Sequence, residues 1–509
     1  MSNSSRVIKN TGYLYVKMGI TIFVSLYTTR LILASLGAAD FGIYTVVGGA
    51  IAMLGFLNST MANATQRFMS YAEGEGMVEK KRAIFNVSLV LHLAVAIVTF
   101  FLLILAMFPL FDGVFNIQSD RIPAAIIVYF CLIFSAILTI VNVPYDAVMT
   151  SHENMLYYSI IGIFEAVLKL GVAFACVYTA HDKLIIYGVL MACIPLITLT
   201  IMKVYCHHYY EECVIAPRRY WDKSMVKLIG GFFGWNFLTA ISSLLSAQGI
   251  GIVLNHFFGT ILNAAQGVAQ QVNGALSHFS GNMMKALSPI ITKSAGAHDN
   301  ETMNRAALAG CKFSSFLTMF FAIPLSLEVN YVLGLWLSEV PAWAALFVVL
   351  QLAQTIIVQI ADSASIAIYA KGDIKHYAIW KSLMNAMPLI TVWIAFKMGG
   401  GPVWLYIPML IIWGIGGDLV IIYYANYKCG LDVKVYISNV VLPIIGTFFI
   451  MVFCGTLPIS YMEDGFGRLI FTCLATSIGM LIAGLLFAIT NDEKKLLADV
   501  VRRVIKRNK

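Results

Sequence analysis

The chain has 509 residues, of which 60% are hydrophobic and only 12% are charged. In soluble domains roughly half of the residues are apolar and about a quarter are charged. A mean hydropathy of +0.82 therefore excludes a soluble globular protein and predicts an all-α protein embedded in a lipid bilayer. The nine cysteines are scattered without a CxxC pair, which argues against a disulfide framework. The net charge of +8 follows membrane topology and does not indicate a nucleic-acid partner.

About fourteen apolar stretches are each long enough to cross a hydrocarbon core of ~30 Å. We predict spans at 12–36, 41–65, 84–109, 123–149, 157–180, 184–205, 228–256, 262–290, 305–329, 343–369, 376–397, 402–426, 437–457 and 468–490. Lysine and arginine are concentrated in alternate connections, and only Arg121, Lys183, Lys397 and Arg468 fall on the opposite side. The positive-inside rule therefore predicts that both termini are cytoplasmic.

An internal repeat appears when the chain is shifted by about 220 residues. Gly37 corresponds to Gly259, the segment 66–74 recurs at 289–296, and 151–157 recurs at 371–377. The repeat predicts two six-helix bundles of the same orientation, at 1–216 and 217–430. Two further spans follow at 431–490, and 491–509 forms a basic amphipathic tail on the membrane surface.

Two similar bundles flanking a cleft suit transport by alternating access. The connections are too short to hold an extramembrane catalytic domain, so we predict a transporter and not an enzyme. The sequence contains no GxGxxG, Walker A, HExxH or GxSxG motif. It therefore predicts no cofactor, and an ion gradient, the membrane potential or the substrate gradient supplies the energy.

Ionisable side chains inside a membrane usually face a cavity or a partner. Arg30 lies in the first span, where its guanidinium is suited to binding a phosphate bidentately. The alternatives for Arg30 are a salt bridge or an extension to the outer interface. Glu165 and Lys169 lie one turn apart in the fifth span. They either neutralise each other or supply an ion-coupling carboxylate and a substrate-binding ammonium.

Three spans, the seventh, the eighth and the tenth, carry polar stripes with helical spacing. The eighth has Gln266, Gln270 and Asn273, and the tenth includes Gln359 and Asp362. Amides and hydroxyls both donate and accept hydrogen bonds, so the stripes either line a hydrated cavity for sugar hydroxyls or join packed helices.

Three single carboxylates and one ligand-rich run complete the set of polar candidates. Asp146, Asp362 and Asp418 could each carry a coupling proton if they are buried. The run from Cys206 to Cys213 contains two histidines and two glutamates but no recognised metal spacing. We interpret this run as an interfacial loop and predict no metal site.

Several short runs resemble the polysaccharide transporter branch of the multidrug/oligosaccharidyl-lipid/polysaccharide (MOP) exporter superfamily, and the O-antigen flippases in particular. They are Arg30 followed by 36–44, Arg67 to Gly74, Leu333 to Ser338, and Gly430 to Pro443. The resemblance covers nearly the whole chain and implies a fourteen-helix fold like that of MATE transporters. It also implies that Arg30 and Lys169 serve a phosphate group.

Such proteins move undecaprenyl-pyrophosphate-linked oligosaccharides across a bacterial inner membrane. The resemblance therefore implies that glycolipid as substrate, a proton or sodium ion as coupling partner, and polysaccharide polymerase machinery as a neighbour. The alternatives are a multidrug or cation exporter, a lipid II flippase and, from a different class, a membrane glycosyltransferase or polymerase.

Overall fold

The computed structural model describes residues 3–52, 55–114, 117–337 and 339–488, and these residues contain helices, turns and no strands. The helices are Asn3–Ala52 (α1), Gly55–Glu75 (α2), Val78–Pro109 (α3), Ile122–Ser151 (α4), Met155–Tyr178 (α5), Lys183–Tyr209 (α6), Lys223–Gly296 (α7), Asn300–Leu327 (α8), Val329–Trp336 (α9), Ala344–Lys371 (α10), Lys375–Lys397 (α11), Tyr406–Pro408 (α12), Gly417–Cys429 (α13), Val433–Tyr436 (α14), Leu442–Tyr461 (α15) and Phe466–Ala483 (α16). Segments of π-helix cover Leu110–Val114, Met409–Gly416, Ile437–Val441 and Gly484–Ala488. The predicted tail 491–509 lies outside the described residues.

Twelve of these helical segments are long and apolar enough to cross a membrane. The helix α7 is one of them, and it covers both the seventh and the eighth predicted span. An interruption at Gly259 separates these two spans. The second predicted span is divided between the end of α1 and α2, beyond an interruption at Gly37. The predicted all-α membrane architecture is therefore confirmed, and its fourteen spans agree with the helices.

The two interruptions share one backbone conformation. Gly37 has φ 79° and ψ 167°, and Gly259 has φ 77° and ψ −169°. This region of backbone space is almost restricted to glycine. The two halves of the repeat therefore turn at the same position by the same device.

Lys9–Phe237 form one compact unit, which we call the N-terminal unit. Its core includes Val47, Val128 and Leu184, and the Tyr129 hydroxyl donates to the Leu103 carbonyl at 2.6 Å. The unit extends beyond the predicted limit of 216 because the start of α7 packs on α2. The ring centroids of Phe68 and Phe232 are 5.6 Å apart.

The C-terminal unit begins at Leu238. In it α10 packs on α8 and α13, while α15 and α16 pack on each other and on α8. Arg468 on α16 donates from Nη2 to the buried carboxylate of Glu328 at 2.8 Å, and the Thr472 hydroxyl donates to the same carboxylate at 2.9 Å. This contact fixes the last two helices to the end of α8.

An ion-pair cluster lies at the corresponding end of the N-terminal unit. The Arg121 guanidinium donates to Asp182 at 2.7 Å and to Asp40 at 2.9 Å. Burial raises the pKa of Asp182, but Arg121 together with the backbone amides of Leu184 and Ile185 lowers it overall. The cluster joins the connections before α4 and before α6 to the end of the first span.

We call the end that carries Arg121 and Arg468 the outer end, and the opposite end, which the charge asymmetry predicts to be cytoplasmic, the inner end. The short helix α9 at the outer end lies in a stretch that the sequence predicts to be a loop. It forms because Val329 and Leu333 bury their side chains on one face.

Candidate functional site

The exposed face of the second half of α7 differs from a lipid-facing surface. Between Ile261 and Phe320, a fully described stretch, no large hydrophobic side chain is exposed. From Ala264 onward the exposed residues of this half-helix are small or polar, namely Ala264, Gly267, Gln270, Gln271, Gly274, Ala275, Ser277, His278 and Gly281. By contrast, α15 exposes Phe449 and Phe453 by 64% and 67%. The face on α7 is therefore suited to water and polar solutes rather than to lipid tails.

The N-terminal unit carries a matching face along the second span. Its exposed positions include Thr45, Gly49, Ala52, Gly55 and Ser59. The repeat relates these five residues in order to exposed positions on α7, which are Gly267, Gln271, Gly274, Ser277 and Gly281. Each unit therefore has one helix with an exposed face of small and polar residues, which we call the open face. Val46 is the one large hydrophobic residue exposed beside it between Leu33 and Met77, among the described residues.

Arg30 is exposed on α1, seven residues before the interruption at Gly37. That separation corresponds to about 10 Å of helix. Within the described part of the chain its guanidinium has neither a hydrogen bond nor an ion pair. The salt-bridge alternative is therefore not formed, and the guanidinium is free to bind an anion.

Lys169 and Glu165 form the ion pair that their spacing allows, with Nζ 2.7 Å from Oε1. Both side chains are about 40% exposed. Lys169 would have to leave Glu165 before it could neutralise a phosphate.

The predicted polar stripes divide into buried and exposed parts. Gln359 donates to the Ser314 hydroxyl at 3.0 Å, and Asn273 accepts from Thr355 at 2.5 Å. Gln266 is only 4% exposed. These contacts place Gln359 and Asn273 in bonds between helices, whereas Gln270 lies on the open face.

Three charged residues interact inside the C-terminal unit. Lys381 on α11 interacts electrostatically with Asp362 on α10 and with Asp418 on α13. Asp418 follows the π-helical segment Met409–Gly416, and a Cβ added to Gly417 would lie 3.2 Å from the Lys381 ammonium. The glycine therefore leaves space for the lysine. The sequence prediction missed Lys381, although a lysine six residues inside span 376–397 was a usable signal.

The remaining predicted candidates lie at the inner end of the N-terminal unit. Asp146 accepts a hydrogen bond from Asn142 at 3.4 Å within α4. From the ligand-rich run, Glu212 meets Glu73 and His152, and these three groups form the one potential metal-ligand set among the described residues. His207 instead lies 3.4 Å from the Tyr145 hydroxyl.

Solved structures of known transporters share this helical arrangement. A MATE structure in complex with MaD3S matches with a TM-score of 0.71 and 14% identity, over 84% of this chain and 96% of that one. An outward-facing multidrug resistance MATE family transporter of the MOP superfamily matches with a TM-score of 0.66 and 12% identity, over 84% and 94%. The chain has the MATE fold.

A third match concerns binding-pocket chemistry. A MOP superfamily transporter from Pyrococcus furiosus, described as having a binding pocket of reverse polarity, matches with a TM-score of 0.66 and 14% identity, over 85% of this chain and 96% of that one. No protein-family model matches the chain, and no curated protein matches it. At this level of identity the likeness confirms the predicted MATE-like fold, and the cargo is a matter for proposal.

Proposed function

We propose that the chain is a flippase that moves an undecaprenyl-pyrophosphate-linked oligosaccharide across a bacterial inner membrane by alternating access. The observation that carries the proposal is the pair of matching open faces. A sugar headgroup rich in hydroxyls needs a hydrated path through the membrane, and each unit has one helix whose exposed face offers it. The isoprenoid tail needs no such path because it is soluble in the lipid.

Arg30 supports an anionic cargo. An exposed and unpartnered guanidinium inside a span is costly unless water or a ligand solvates it. The planar guanidinium matches pyrophosphate oxygens bidentately. The proposed binding set is therefore Arg30 with Gln270 on the open face, while Lys169, Gln266, Asn273 and Gln359 would require rearrangement of the contacts described above.

The charges around Lys381 support coupling to a proton or a sodium ion. With Asp362 and Asp418 both ionised, the three groups carry one net negative charge in a half-buried site. A bound cation or proton neutralises it. Asp362 is therefore a stronger coupling candidate than Glu165, which pairs with Lys169, or Asp146, which accepts from Asn142.

The test is flipping in proteoliposomes that contain an undecaprenyl-pyrophosphate-linked oligosaccharide with a fluorescent sugar. Exposure of the sugar is read with a membrane-impermeant quencher. We expect Arg30→Ala to slow flipping about tenfold or more, the effect of losing a charged hydrogen bond, and Arg30→Lys to fall between. Lys183→Gln at the outer end of the same unit is the matched control and should flip normally. If the Arg30→Ala variant flips the glycolipid at the parent rate, Arg30 is not part of the binding site.

A multidrug or cation exporter is the second candidate, because one structural match is a multidrug resistance transporter and the Asp362 site is acidic. The same vesicles, loaded with a cationic dye and given a pH or sodium gradient, distinguish the two. Dye transport without glycolipid flipping would overturn the flippase proposal. Preference for lipid II over the oligosaccharide lipid would favour the lipid II alternative.

A further inference from the structure

A closed ring of four charged side chains lies at the inner end of the N-terminal unit. Glu73 lies in the last turn of α2, Lys81 lies in the first turn of α3, His152 follows α4, and Glu212 lies in the linker 210–222 that joins α6 to α7. We call these four side chains the inner-end ring. It shares no residue with the open faces and does not include Arg30.

Each carboxylate in the ring contacts both cationic groups. Glu73 places Oε1 3.4 Å from His152 Nδ1 and Oε2 2.7 Å from Lys81 Nζ. Glu212 places Oε1 2.6 Å from His152 Nε2 and Oε2 3.8 Å from Lys81 Nζ. Both nitrogens of the imidazole therefore face carboxylate oxygens.

The position of a carboxylate beside each ring nitrogen favours a protonated histidine. A neutral imidazole has one N–H, so its other nitrogen would face a carboxylate with no proton between them. With His152 protonated, two negative and two positive charges balance, and Glu212 is only 2% exposed. Burial opposes ionisation of Glu212, but its hydrogen bond with His152 and the nearby Lys81 hold its pKa below the usual value.

The ring is not needed to fold this end of a MATE-like bundle. In the C-terminal half the residue equivalent to Glu73 is Ala295, and the residue equivalent to Lys81 is Met303. Ala295 and Met303 are 1% and 0% exposed. His152 corresponds to Gly372, and Glu212 corresponds to Asp432, which caps the next helix. Buried ion pairs seldom stabilise a fold more than apolar contacts of the same size. The charges in the N-terminal unit therefore call for a role beyond stability.

The ring holds the linker. Glu212 belongs to it, and neighbouring bonds to α3 fix the same segment. The Asn86 side chain donates to the Val214 carbonyl and accepts from the Ala216 amide, both at 2.8 Å, and Arg82 donates to the Glu211 carbonyl at 3.2 Å. The Tyr210 ring stacks on His152 with centroids 4.4 Å apart. Cys213, between these contacts, is 2% exposed.

We propose that the inner-end ring is a proton-binding site, with His152 as the acceptor, that fixes the linker between the two halves when protonated and releases it when the proton leaves. Histidine is the side chain that exchanges protons near neutral pH. Loss of the proton leaves one uncompensated negative charge among Glu73, Glu212 and Lys81. The groups packed on His152 from other elements are these three and Tyr210, while Glu153 follows it in the chain. The contact therefore strengthens at low pH and weakens as pH rises.

A divalent metal ion fits the ring less well. Glu73, His152 and Glu212 offer ligand atoms within 4.8 Å of one another. However, the Lys81 ammonium already lies between the two carboxylates. A divalent metal ion would have to displace both this ammonium and the His152 proton before it could bind the two carboxylates.

Cys213 provides the readout, independently of any transport assay. In the full-length chain the other eight cysteines are replaced by alanine, and maleimide labelling of Cys213 is measured between about pH 5.5 and 8.5, the range of histidine titration. Each rate is divided by the rate for the unfolded chain at the same pH, which removes the intrinsic reactivity of the thiol. We expect the corrected rate to rise from the low-pH to the high-pH end of this range, because loss of the proton leaves the ring with one uncompensated negative charge.

Charge variants give the decisive signature. Glu73→Gln removes one carboxylate and should move the midpoint to lower pH, whereas Lys81→Met removes the competing cation and should move it to higher pH. His152→Gln should label independently of pH. Asp373→Asn, which breaks an ion pair with Lys428 in the C-terminal half, is the control and should follow the parent profile.

Three outcomes would overturn the proposal. They are a corrected rate that is constant in the parent, a pH-dependent rate that persists in His152→Gln, and midpoint shifts of the same sign in Glu73→Gln and Lys81→Met. If His152→Gln fails to fold, the two other variants still decide. Protection of Cys213 by added zinc at pH 8 would show that the ring binds a metal ion, and it would overturn the proton-binding proposal.

Discussion

The two halves of the chain bury charge at different places on one repeated fold. The N-terminal unit has the balanced inner-end ring, of whose four counterparts Ala295, Met303 and Gly372 are uncharged and Asp432 caps a helix. The C-terminal unit has Asp362, Lys381 and Asp418, and the repeat relates these to Asn142, Ile161 and Thr198. Neither set is therefore a requirement of the fold. The comparison indicates that each half acquired its charges for a separate task.

The largest loss of stability is expected at the outer end of the C-terminal unit. Arg468→Met leaves the Glu328 carboxylate, 1% exposed, without its cation, which costs about 4 kcal/mol for a buried pair. The thermal unfolding midpoint in detergent measures the effect. Glu301→Gln, which breaks the exposed pair with Arg305, is the control and should leave the midpoint unchanged. An unshifted midpoint in Arg468→Met would show that Thr472 alone satisfies the carboxylate.

Removal of Lys381 tests whether the charge set of the C-terminal unit is unbalanced. Lys381→Met removes the cation that interacts electrostatically with Asp362 and Asp418 and should lower the thermal unfolding midpoint. Asp362→Asn leaves one ammonium with one carboxylate, so it should fold normally yet lose stimulation of flipping by an ion gradient. Equal unfolding midpoints for the two variants would contradict this account.

The paired glycines should respond equally in the two halves. Alanine at Gly37 or Gly259 meets no atom within 4 Å of its Cβ, so its cost is backbone strain, about 2 kcal/mol. Unfolding midpoints of Gly37→Ala and Gly259→Ala should fall together. Gly12→Ala, in helical conformation with open space around it, is the control and should not lower the midpoint. A lower unfolding midpoint in only one of the two variants would contradict the structural equivalence of the two turns.

The smallest effect is expected at the outer end of the N-terminal unit. Arg121, Asp40 and Asp182 are 26%, 18% and 32% exposed, so Arg121→Met should cost about 1 kcal/mol at pH 7. The pKa of Asp182 is lowered in the fold. Its contribution is therefore complete above the unfolded value, about 3.9, and is lost as pH falls through the lower folded value. The difference in unfolding midpoint between parent and variant should shrink on acidification, and a constant difference would contradict the assignment.

Features with a local or periodic signature were predictable. Apolar stretches located the helices, the recurrence of Gly37 at Gly259 located the two equivalent turns, and the spacing of Glu165 and Lys169 allowed the ion pair that forms. Each depends on residues close in sequence or on a comparison of the chain with itself.

Features that depend on side chains from several helices were not predictable. Lys381, Asp362 and Asp418 interact electrostatically from three different helices, and the inner-end ring joins residues between 73 and 212. Periodicity placed Gln359 on a polar stripe. It could not determine whether the side chain faces a cavity or donates to the Ser314 hydroxyl of a neighbouring helix. Rotation of a helix about its axis decides between these two, and single-sequence periodicity leaves that rotation undetermined.

The open faces are built mainly from glycine, alanine and serine, so much of their polarity comes from the helix backbone. Backbone carbonyl oxygens keep a second lone pair after forming a helical hydrogen bond. Such a surface offers the same acceptors to any sugar hydroxyl and few side chains that distinguish one sugar from another. The proposed path would therefore be permissive toward glycan sequence, and a single bulky residue introduced on it, such as Gly274→Trp, would convert it into one that sorts its cargo by width.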